Sequence, residues 1–402
     1  MRTPAGILCL ILSLTAVAIG ADSLNVRLVG GCDTPGDASG VCVSGDYAYV
    51  ADKHTGLRVI SIADPANPVE VGYYDTPGEA RDVAVSGDYA YVADAYNGLR
   101  VISIADPANP VEVGSLALPP GEAQRVTVVG DLLYVADGTG GLRVVSIALP
   151  DNPVEVGRCG SLGWVSDVAV SGSLAYAVSN DLSIISVADP ANPVKIGSLE
   201  DAGALGVAVN GYYAYTAVGS YGLEIFRVSD PGRMIWVGLL RTLALGVAES
   251  GGFAYVVTEK SGLLVVSVAD PAHPYEVGHY HIYPQYCNDV TLRGDTIYVA
   301  FGPIGLQIFQ YYGAGVEETP SVEVRTTSPG PTVLRGNLHL PLASGVERRA
   351  SSVLMDATGR KVLNLKPGEN DISHLAPGVY FVREELPASS HKPAVRKVVL
   401  TK

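Results

Sequence analysis

Strand-length runs of β-branched and aromatic residues recur along the chain from residue 25 to about residue 312. The second repeat shows the pattern most clearly, with runs at Asp82–Val85, Tyr89–Ala93, Leu99–Ile104 and Val111–Gly114 that are separated by turn residues. Such runs are typical of short strands. Because no stretch keeps an apolar period of 3.6 residues, helices should be nearly absent. The pattern therefore predicts an all-β protein.

The runs repeat with a nearly constant period. One glycine marks each repeat, and the steps between successive glycines are 42, 43, 42, 39, 40 and 43 residues: Gly45, Gly87, Gly130, Gly172, Gly211, Gly251 and Gly294. A tyrosine follows four residues later in all seven repeats: Tyr49, Tyr91, Tyr134, Tyr176, Tyr215, Tyr255 and Tyr298. A period in this range indicates a propeller or a solenoid. The tyrosines are predicted to pack between repeats.

The two ends of the repeat region favour a closed ring. The seventh repeat stops after its third strand, Leu306–Tyr312, while Asn25–Gly30 (NVRLVG) matches the fourth strand Pro110–Gly114 (PVEVG). A parallel β-helix or open solenoid has no reason for this permutation, whereas an N-terminal strand that completes the last blade removes an exposed edge. We predict a seven-bladed β-propeller over residues 21–315, with strand 25–30 paired to 305–312.

Residues 1–20 carry the features of a secretory signal peptide: Arg2, the apolar run Gly6–Ile19, and small residues before Ala21. A transmembrane anchor is the alternative, but the run is short for spanning a bilayer. The mature chain is predicted to have no transmembrane segment and to be secreted or held at the cell surface. Disulfides are possible there; Cys32 and Cys42 could pair, and the pairing of these two with Cys159 and Cys287 stays open.

The charge of the chain is unevenly placed. Residues 21–315 hold 14 basic and 32 acidic residues, a net charge of −18, whereas residues 316–402 hold 12 and 9, a net charge of +3. An acidic body repels phosphate backbones, so nucleic acid is not expected as a partner.

The segment GLRVISIADPANPVEVG, with YVAD upstream, resembles the LVIVD repeat of bacterial surface and secreted proteins. The resemblance covers about three-quarters of the chain. It implies a propeller fold and a location outside the cell, and it implies no particular activity.

Residues 316–402 follow a different pattern. The strand–turn–strand MDATGRKVLNL and the run HLAPGVYFVRE, closed by RKVVLTK, resemble the C-terminal sorting domains of type IX secretion and related immunoglobulin-like β-sandwiches. The resemblance implies that this small sandwich directs export or surface attachment through the secretion machinery. A plain sandwich without a sorting role is the alternative.

Propeller geometry sorts the loops onto two faces. The Ser-Gly-Asp and Asp-Pro-Ala-Asn-Pro turns are uniform and lie on one face, whereas the loops from strand two to three and from strand four to the next strand one vary and share the other. Variable loops on a rigid scaffold are where binding usually occurs, so Ala95–Asn97 is expected to be functional rather than architectural. The residues predicted to contact a protein or glycan partner on this variable face are Lys53, His54, Arg81, Asp82, Tyr96, Asn97, Arg125, Trp164, Asp167, Tyr221, Glu259, Lys260, Tyr286, Asn288 and Asp289.

Two sets of aspartates raise the possibility of a calcium site. Asp82, Asp167 and Asp289 open strand one in three repeats, and Asp52, Asp94 and Asp137 close strand two. Carboxylates that converge on a channel could hold calcium, as in lactonase-like propeller hydrolases. The other interpretation is that they accept backbone hydrogen bonds at strand ends. An enzyme should bring at least three carboxylates or imidazoles within metal-bonding reach.

Other chemistry is weakly indicated. His279 and His281 should lie on one side of a strand with Cys287 nearby, which is a weak metal constellation. No hydrolase, metalloprotease or nucleotide-binding motif occurs with the helix it needs. We therefore predict no catalytic residue and no cofactor, and a binding or scaffold protein rather than an enzyme, with the calcium-dependent hydrolase as the alternative.

Overall fold

A computed structural model describes residues 23–200, 203–258, 262–282 and 286–313, together with the backbone of seven strands between residues 333 and 400. Contacts divide the chain into two units, Met1–Gly313 and Ala314–Lys402. The predicted signal peptide, residues 1–20, lies outside the described residues. The described residues contain no helix, and hence none that is long and apolar enough to cross a membrane.

The first unit is a seven-bladed propeller, as predicted from the repeat. The chain starts with β1 (Ser23–Leu24) and β2 (Val26–Cys32). Blade 1 is β3 (Gly40–Ser44), β4 (Tyr47–Ala51), β5 (Leu57–Ser61) and β6 (Val69–Tyr74); blade 2 is β7 (Asp82–Ser86), β8 (Tyr89–Ala93), β9 (Leu99–Ser103) and β10 (Val111–Leu116). Blade 3 is β11 (Arg125–Val129), β12 (Leu132–Ala136), β13 (Leu142–Ser146) and β14 (Val154–Cys159); blade 4 is β15 (Asp167–Ser171), β16 (Leu174–Val178), β17 (Leu182–Ser186) and β18 (Val194–Leu199). Blade 5 is β19 (Gly206–Asn210), β20 (Tyr213–Ala217), β21 (Leu223–Arg227) and β22 (Ile235–Leu240); blade 6 is β23 (Gly246–Ser250), β24 (Phe253–Thr258), β25 (Gly262–Ser267) and β26 (Tyr275–Tyr280). Blade 7 is β27 (Asp289–Arg293), β28 (Thr296–Ala300), β29 (Leu306–Tyr311) and the N-terminal β2.

The N-terminal segment closes the ring. β2 pairs antiparallel with β29, with Val26 opposite Tyr311 and Cys32 opposite Leu306, which confirms the predicted pairing to within two residues. The sequence did not predict that β1 adds a fifth strand to blade 6, where Leu24 lies opposite His279 on β26. Asn25, at φ 55°, turns the chain between the two blades. The segment therefore joins blade 6 to blade 7.

Seven apolar clusters lie between neighbouring blades, and each contains one of the repeated tyrosines. Tyr49 of blade 1, for example, packs in one cluster with Val59 and with Val83 of blade 2. All seven tyrosines are buried. The prediction that they pack between blades is confirmed.

Two glycine positions of the repeat are set by close backbone approach. Gly56, directly before Leu57 at the start of β5, has φ 77°, and a Cβ there would lie 2.2 Å from the Tyr74 carbonyl oxygen. Gly72, in the fourth strand, faces the Asp-Pro turn of the next blade, and its Cβ would lie 2.2 Å from the Pro107 carbonyl oxygen. Any side chain would push these elements apart, so glycine recurs at both positions.

The uniform turns are held by their own side chains. Asp64 accepts a hydrogen bond from the Ala66 N–H (3.1 Å) and another from the Asn67 side chain (2.8 Å). The same arrangement recurs at Asp106 and Asp189. These turns are architecture, as predicted.

The four described cysteines are free thiols. Cys32 lies on β2 in blade 7 and Cys42 on β3 in blade 1, and they do not form the disulfide that their sequence spacing allowed. Burial raises the pKa of the Cys42 thiol to about 11, which makes it a poor nucleophile at neutral pH.

The second unit contains β30 (Val333–Leu334), β31 (Asn337–Leu340), β32 (Ser351–Asp356), β33 (Lys361–Leu365), β34 (Gly368–Asp371), β35 (Gly378–Glu385) and β36 (Val395–Leu400). Five of them form one sheet in the order β30-β36-β35-β32-β33, and β31 pairs with β34. The immunoglobulin-like sandwich and its sorting role stay predictions.

Candidate functional site

The variable loops share one face, and in five of the seven blades the turn between strands two and three pairs with the loop that enters the next blade. Backbone bridges join Lys53 to Ala80, Ala95 to Ala123, Gly138 to Val165, Gly219 to Ala244 and Gly302 to Ala38. The turn residue is left-handed, with φ 44° at Lys53 and 49° at Ala95. Ala95 is buried in this bridge, so the expectation that it is functional is wrong; only Tyr96 and Asn97 of that segment are exposed.

Buried Asp–Arg–Glu clusters fix the variable-face loops of blades 1 to 3. In blade 3 the Arg143 guanidinium lies 2.5 Å from the Asp137 carboxylate and 2.6 Å from that of Glu155. Arg143 also donates to the carbonyls of Leu118 and Pro119 in the incoming loop. Burial raises the pKa of Asp137 to about 6 despite the nearby guanidinium.

The same cluster recurs as Asp52–Arg58–Glu70 in blade 1 and Asp94–Arg100–Glu112 in blade 2. The aspartates also anchor the incoming loops, since the N–H groups of Gly36 and Gly78 donate to Asp52 (2.8 Å) and Asp94 (3.0 Å). These three aspartates, considered above as calcium ligands, therefore hold loops in place.

The residue that opens each innermost strand lies at the neck of the central channel. In blade order this neck ring is Gly40, Asp82, Arg125, Asp167, Gly206, Gly246 and Asp289. The three carboxylates each accept a main-chain N–H of the next blade: Val126 to Asp82 (2.9 Å), Val207 to Asp167 (2.8 Å) and Val41 to Asp289 (2.9 Å). The interpretation that these aspartates accept backbone hydrogen bonds is confirmed.

Arg125 reaches across the channel from blade 3 to blade 7. Its Nη1 lies 3.4 Å from both Asp82 and Asp289, and Nη2 donates to the Asn288 carbonyl at 3.1 Å. Burial raises the pKa of Asp82 to about 7, an effect that the neighbouring guanidinium only partly offsets.

The neck does not fit calcium. The Arg125 guanidinium occupies the space between Asp82 and Asp289, which puts positive charge where a cation would bind. Within the described part of the chain, no three His, Cys, Asp or Glu side chains are close enough to share a metal ion. The arrangement that the hydrolase alternative requires is not formed by these residues.

A pocket of about 320 Å³ opens on the variable face between blades 1 and 2. The predicted residues Lys53, His54 and Arg81 line it, together with Asp37, Ser39 and Glu79, which the sequence reasoning missed. The charges alternate and pair: Lys53 lies 2.6 Å from Asp37, and Arg81 lies 3.2 Å from Glu79. Arg81 also lies 2.6 Å from Glu122.

The opposite side of the face exposes large apolar side chains. Trp164 is 46% exposed, Leu205 45% and Tyr221 66%. Trp164 lies over the turn at Gly138, and Leu205 lies over the turn at Gly219, with side-chain atoms 3.4 and 3.9 Å from the positions a Cβ would take. Among the described residues, the variable face therefore has a side of paired charges, blades 7, 1 and 2, and a side with large exposed apolar groups in blades 4 and 5, called the apolar side below.

The remaining predicted residues are spread around the same face. Tyr96 is 77% exposed. Tyr286 donates to Asp37 at 2.9 Å, and the Asn288 side chain donates to the Ala38 carbonyl at 2.7 Å, so both also brace the fold. Glu259 and Lys260 lie outside the described residues. The rings of His279 and His281 stack with centroids 4.1 Å apart, so they share one side as predicted.

One register position explains which residues were missed. The residue before each innermost strand lies at the channel mouth: Ser39, Arg81, Gln124, Ser166, Leu205, Leu245 and Asn288. Each donates its N–H to the end of strand two, as Arg81 does to Ala93 and Leu205 to Ala217. Aligning this position across repeats would have found Ser39, Leu205 and Leu245 beside Arg81 and Asn288.

Comparison with known proteins supports the family and the fold. The sequence model described as the LVIVD repeat matches residues 35–76, 77–117, 120–160, 162–201, 203–242 and 244–282, which together exceed half of the chain. No curated protein matches the sequence.

Two solved structures are similar to the chain. A chain titled Crystal Structure of Mitotic Checkpoint Complex has a TM-score of 0.61 and 13% identity, over 78% of this chain and 99% of that one. The computationally designed Ika8 protein has a TM-score of 0.51 and 8% identity, over 71% of this chain and 99% of that one. At these identities the likeness shows the fold alone.

Proposed function

The chain belongs to the LVIVD repeat family, and we propose that it is a non-enzymatic binding module outside the cell whose variable face docks a partner protein. The observation that carries the proposal is the exposed rim of Tyr96, Trp164 and Tyr221 on a face whose backbone is fixed by inter-blade bridges. Large aromatic side chains on rigid loops contribute most of the energy at protein interfaces. A β-propeller repeat protein generally fits a binding or scaffold role.

A protein partner is favoured over a glycan by the extent of the rim. Its aromatic residues belong to blades 2, 4 and 5 and surround a channel mouth, rather than lining one small groove. Such a spread suits a broad surface, whereas sugars bind in compact sites. A glycan stays an outcome of the test below.

The location outside the cell follows from the signal-peptide pattern of residues 1–20. The C-terminal unit would direct export or surface attachment through the secretion machinery. Deleting residues 316–402 should leave the propeller folded but stop its export. Normal export of the truncated protein would contradict the sorting role.

The two tryptophans of the chain provide a matched test of the binding face. Trp164 lies on the variable face, 46% exposed, whereas Trp236 lies on the outer strand β22, 52% exposed. Proteins of the envelope and medium of the producing cells are captured on wild type, Trp164→Ala and Trp236→Ala, and each captured protein is then titrated in purified form.

We expect at least about tenfold weaker binding to Trp164→Ala and unchanged binding to Trp236→Ala, since losing one interface aromatic typically costs more than 1 kcal/mol. Equal affinities for the two variants would overturn the choice of face. Retention of polysaccharide but no protein would overturn the choice of partner.

A further inference from the structure

The apolar side of the channel mouth has a carboxylate below it that takes no part in the ion pairs of the neck ring. Asp167 opens the innermost strand of blade 4, and its oxygens accept the N–H groups of Val168 (2.8 Å) and Val207 (2.8 Å). Its nearest neighbours around the neck ring on one side, Gly206 and Gly246, carry no side chain. Arg125, on the other side, forms ion pairs with Asp82 and Asp289 and acts on Asp167 only at longer range.

Among the described residues, Asp167 therefore forms no ion pair. Burial raises the pKa of Asp167, an effect that the more distant Arg125 guanidinium and the two backbone N–H groups only partly offset. The side chain is only half-buried, so the channel still reaches it. A positive charge brought to this point would be stabilised, and the net charge of −18 on residues 21–315 would favour its approach.

The wall above Asp167 is apolar. Leu205 and Leu245 precede the innermost strands of blades 5 and 6, directly before Gly206 and Gly246. The strands of these two blades lie very close, since a Cβ at Gly206 would be 3.2 Å from the Gly246 Cα and 3.6 Å from the Asp167 carboxylate. The leucines and the carboxylate thus lie one below the other at the same side of the mouth.

A lysine or arginine side chain has the matching chemistry. Its methylene stem is apolar, and its charged head needs a carboxylate or water. A neutral apolar group would match the leucines but add nothing to offset the charge of Asp167, and an anionic group would be repelled by it. Trp164 and Tyr221, farther out on the same side, provide contact area for residues flanking the basic one.

We infer that the mouth beside blades 4 to 6 binds a lysine or arginine side chain from an exposed segment of the partner protein, with its stem against Leu205 and Leu245 and its charged head toward Asp167. The inference rests on the proposed function, since it specifies how the variable face recognises its partner.

The test uses the full chain and four series of synthetic heptapeptides with randomised flanks and a fixed central residue: lysine, arginine, norleucine or glutamate. Norleucine keeps the stem of lysine and removes the charge. We expect the lysine and arginine series to bind about tenfold more tightly than the norleucine series, and the glutamate series to bind most weakly, as for one charge-assisted hydrogen bond. Comparing the four peptide series tests the inference on the wild-type chain, without any substitution in it.

In Asp167→Asn, the affinity for the lysine series should fall to that for the norleucine series, and the affinity for the norleucine series should stay the same. Leu205→Asn should weaken the lysine and norleucine series alike. The control Asp131→Asn alters an exposed carboxylate in the Gly130-Asp131 turn on the opposite face, and it should change nothing.

The outcomes separate the two proposals. Equal affinities of the lysine and norleucine series, or a lysine preference that persists in Asp167→Asn, would overturn the inference. If the peptides still bind in either case and Tyr221→Ala weakens their binding, the proposed function stands although the inference fails. If no series binds, or if Trp164→Ala and Tyr221→Ala bind as wild type does, both proposals are overturned.

Discussion

Blades 1 to 3 and blades 4 to 6 have the same strands but hold the variable face by different means. In blades 1 to 3 an arginine of strand three, Arg58, Arg100 or Arg143, lies beside a buried aspartate. Arg143 also reaches the loop that enters its blade, and Arg58 reaches the loop that leaves its own blade. In blades 4 to 6 the same register position is Ser183, Glu224 or Leu264. The bridges and apolar clusters occur in both halves. The blade therefore forms without the ion cluster, which acts on the loops.

The two halves also differ in what they offer a ligand. The charged side chains of blades 1 and 2 already pair with one another, as Lys53 does with Asp37. Blades 4 to 6 instead expose large apolar groups on this face, such as Leu205 and Tyr221. Paired surface charges contribute little net binding energy, whereas exposed aromatic groups contribute much. This is why the largest contribution to binding is expected from the side of blades 4 to 6, with Tyr96 of blade 2 as a further contact.

The largest effect on stability is expected for Arg143→Met, which removes the arginine of blade 3 that blades 4 to 6 lack. Removing a buried guanidinium leaves Asp137 and Glu155 without their partner, and we expect a loss of about 3–5 kcal/mol in the free energy of unfolding at pH 8. The loss should be smaller at pH 5, because Asp137, with its pKa of about 6, is then already mostly neutral. Urea denaturation at the two pH values measures both.

Ser183→Ala is the matched change in blade 4. Ser183 is buried and its hydroxyl has no hydrogen-bond partner in the structure, so its loss should change stability by less than about 0.5 kcal/mol. A similar loss for both variants would show that the arginine contributes only packing.

A second prediction concerns pH and the neck ring, where blade 2 has Asp82 and blade 5 has Gly206. The pKa of Asp82, about 7 in the folded chain, lies above the value of about 3.9 for an exposed aspartate. The folded state thus keeps a proton that the unfolded chain releases. This contribution to stability is full below about pH 4 and is lost as the pH rises through about 7.

Asp82→Asn should remove that part of the pH dependence, which has a slope of up to about 1.4 kcal/mol per pH unit. Unfolding free energies between pH 4 and 8 measure it, with the exposed Asp88→Asn as the control. An unchanged pH profile in Asp82→Asn would mean that its carboxylate is already ionised across this range.

A smaller effect on stability is expected at the bridge turn, which occurs in both halves. The bridge turn has Ala95 in blade 2 and Gly219 in blade 5, at φ 49° and 46°. Gly219→Ala should cost about 1 kcal/mol, because a left-handed residue with a Cβ is strained. Ala95→Gly should be close to neutral, since relief of strain offsets the loss of a buried methyl group. Thermal unfolding of the two variants checks this, and equal effects would argue against the strain.

The smallest effect is expected at the rim. Tyr221 is 66% exposed, so Tyr221→Ala should change the unfolding free energy by less than about 0.5 kcal/mol. Thermal unfolding measures the change. A loss above about 1 kcal/mol would mean that the rim of blades 4 to 6 contributes to the fold rather than standing free for a partner.

Much of the fold could be predicted because every repeat has to pack against its neighbours in the same way. Tyr49 and its six equivalents recur since every pair of blades needs the same buried side chain. The missing fourth strand of repeat seven indicated closure by residues 25–30. The fifth strand, β1, escaped prediction because Ser23 and Leu24 are too few residues to show a pattern.

The candidate site was less predictable, because its residues occur once rather than seven times. Sequence variation among the repeats correctly identified Trp164 and Tyr221 as exposed on one face. It also selected Ala95, whose position varies among the repeats but forms a buried backbone bridge. Leu205 was missed because a leucine next to a strand is typical of a core residue. Its exposure depends on the turn at Gly219 below it.

The sequence by itself determined the ring, its seven blades and the strand that closes it, since these follow from local periodicity and from the need to bury each blade against the next. Only the tertiary structure decided which charges compensate each other. Arg125 of blade 3 and Asp289 of blade 7 pair across the channel, whereas Asp167, in the blade next to that of Arg125, interacts with the same guanidinium only at longer range. Distances across a closed ring are not periodic along the chain, so no repeat pattern could reveal that pairing.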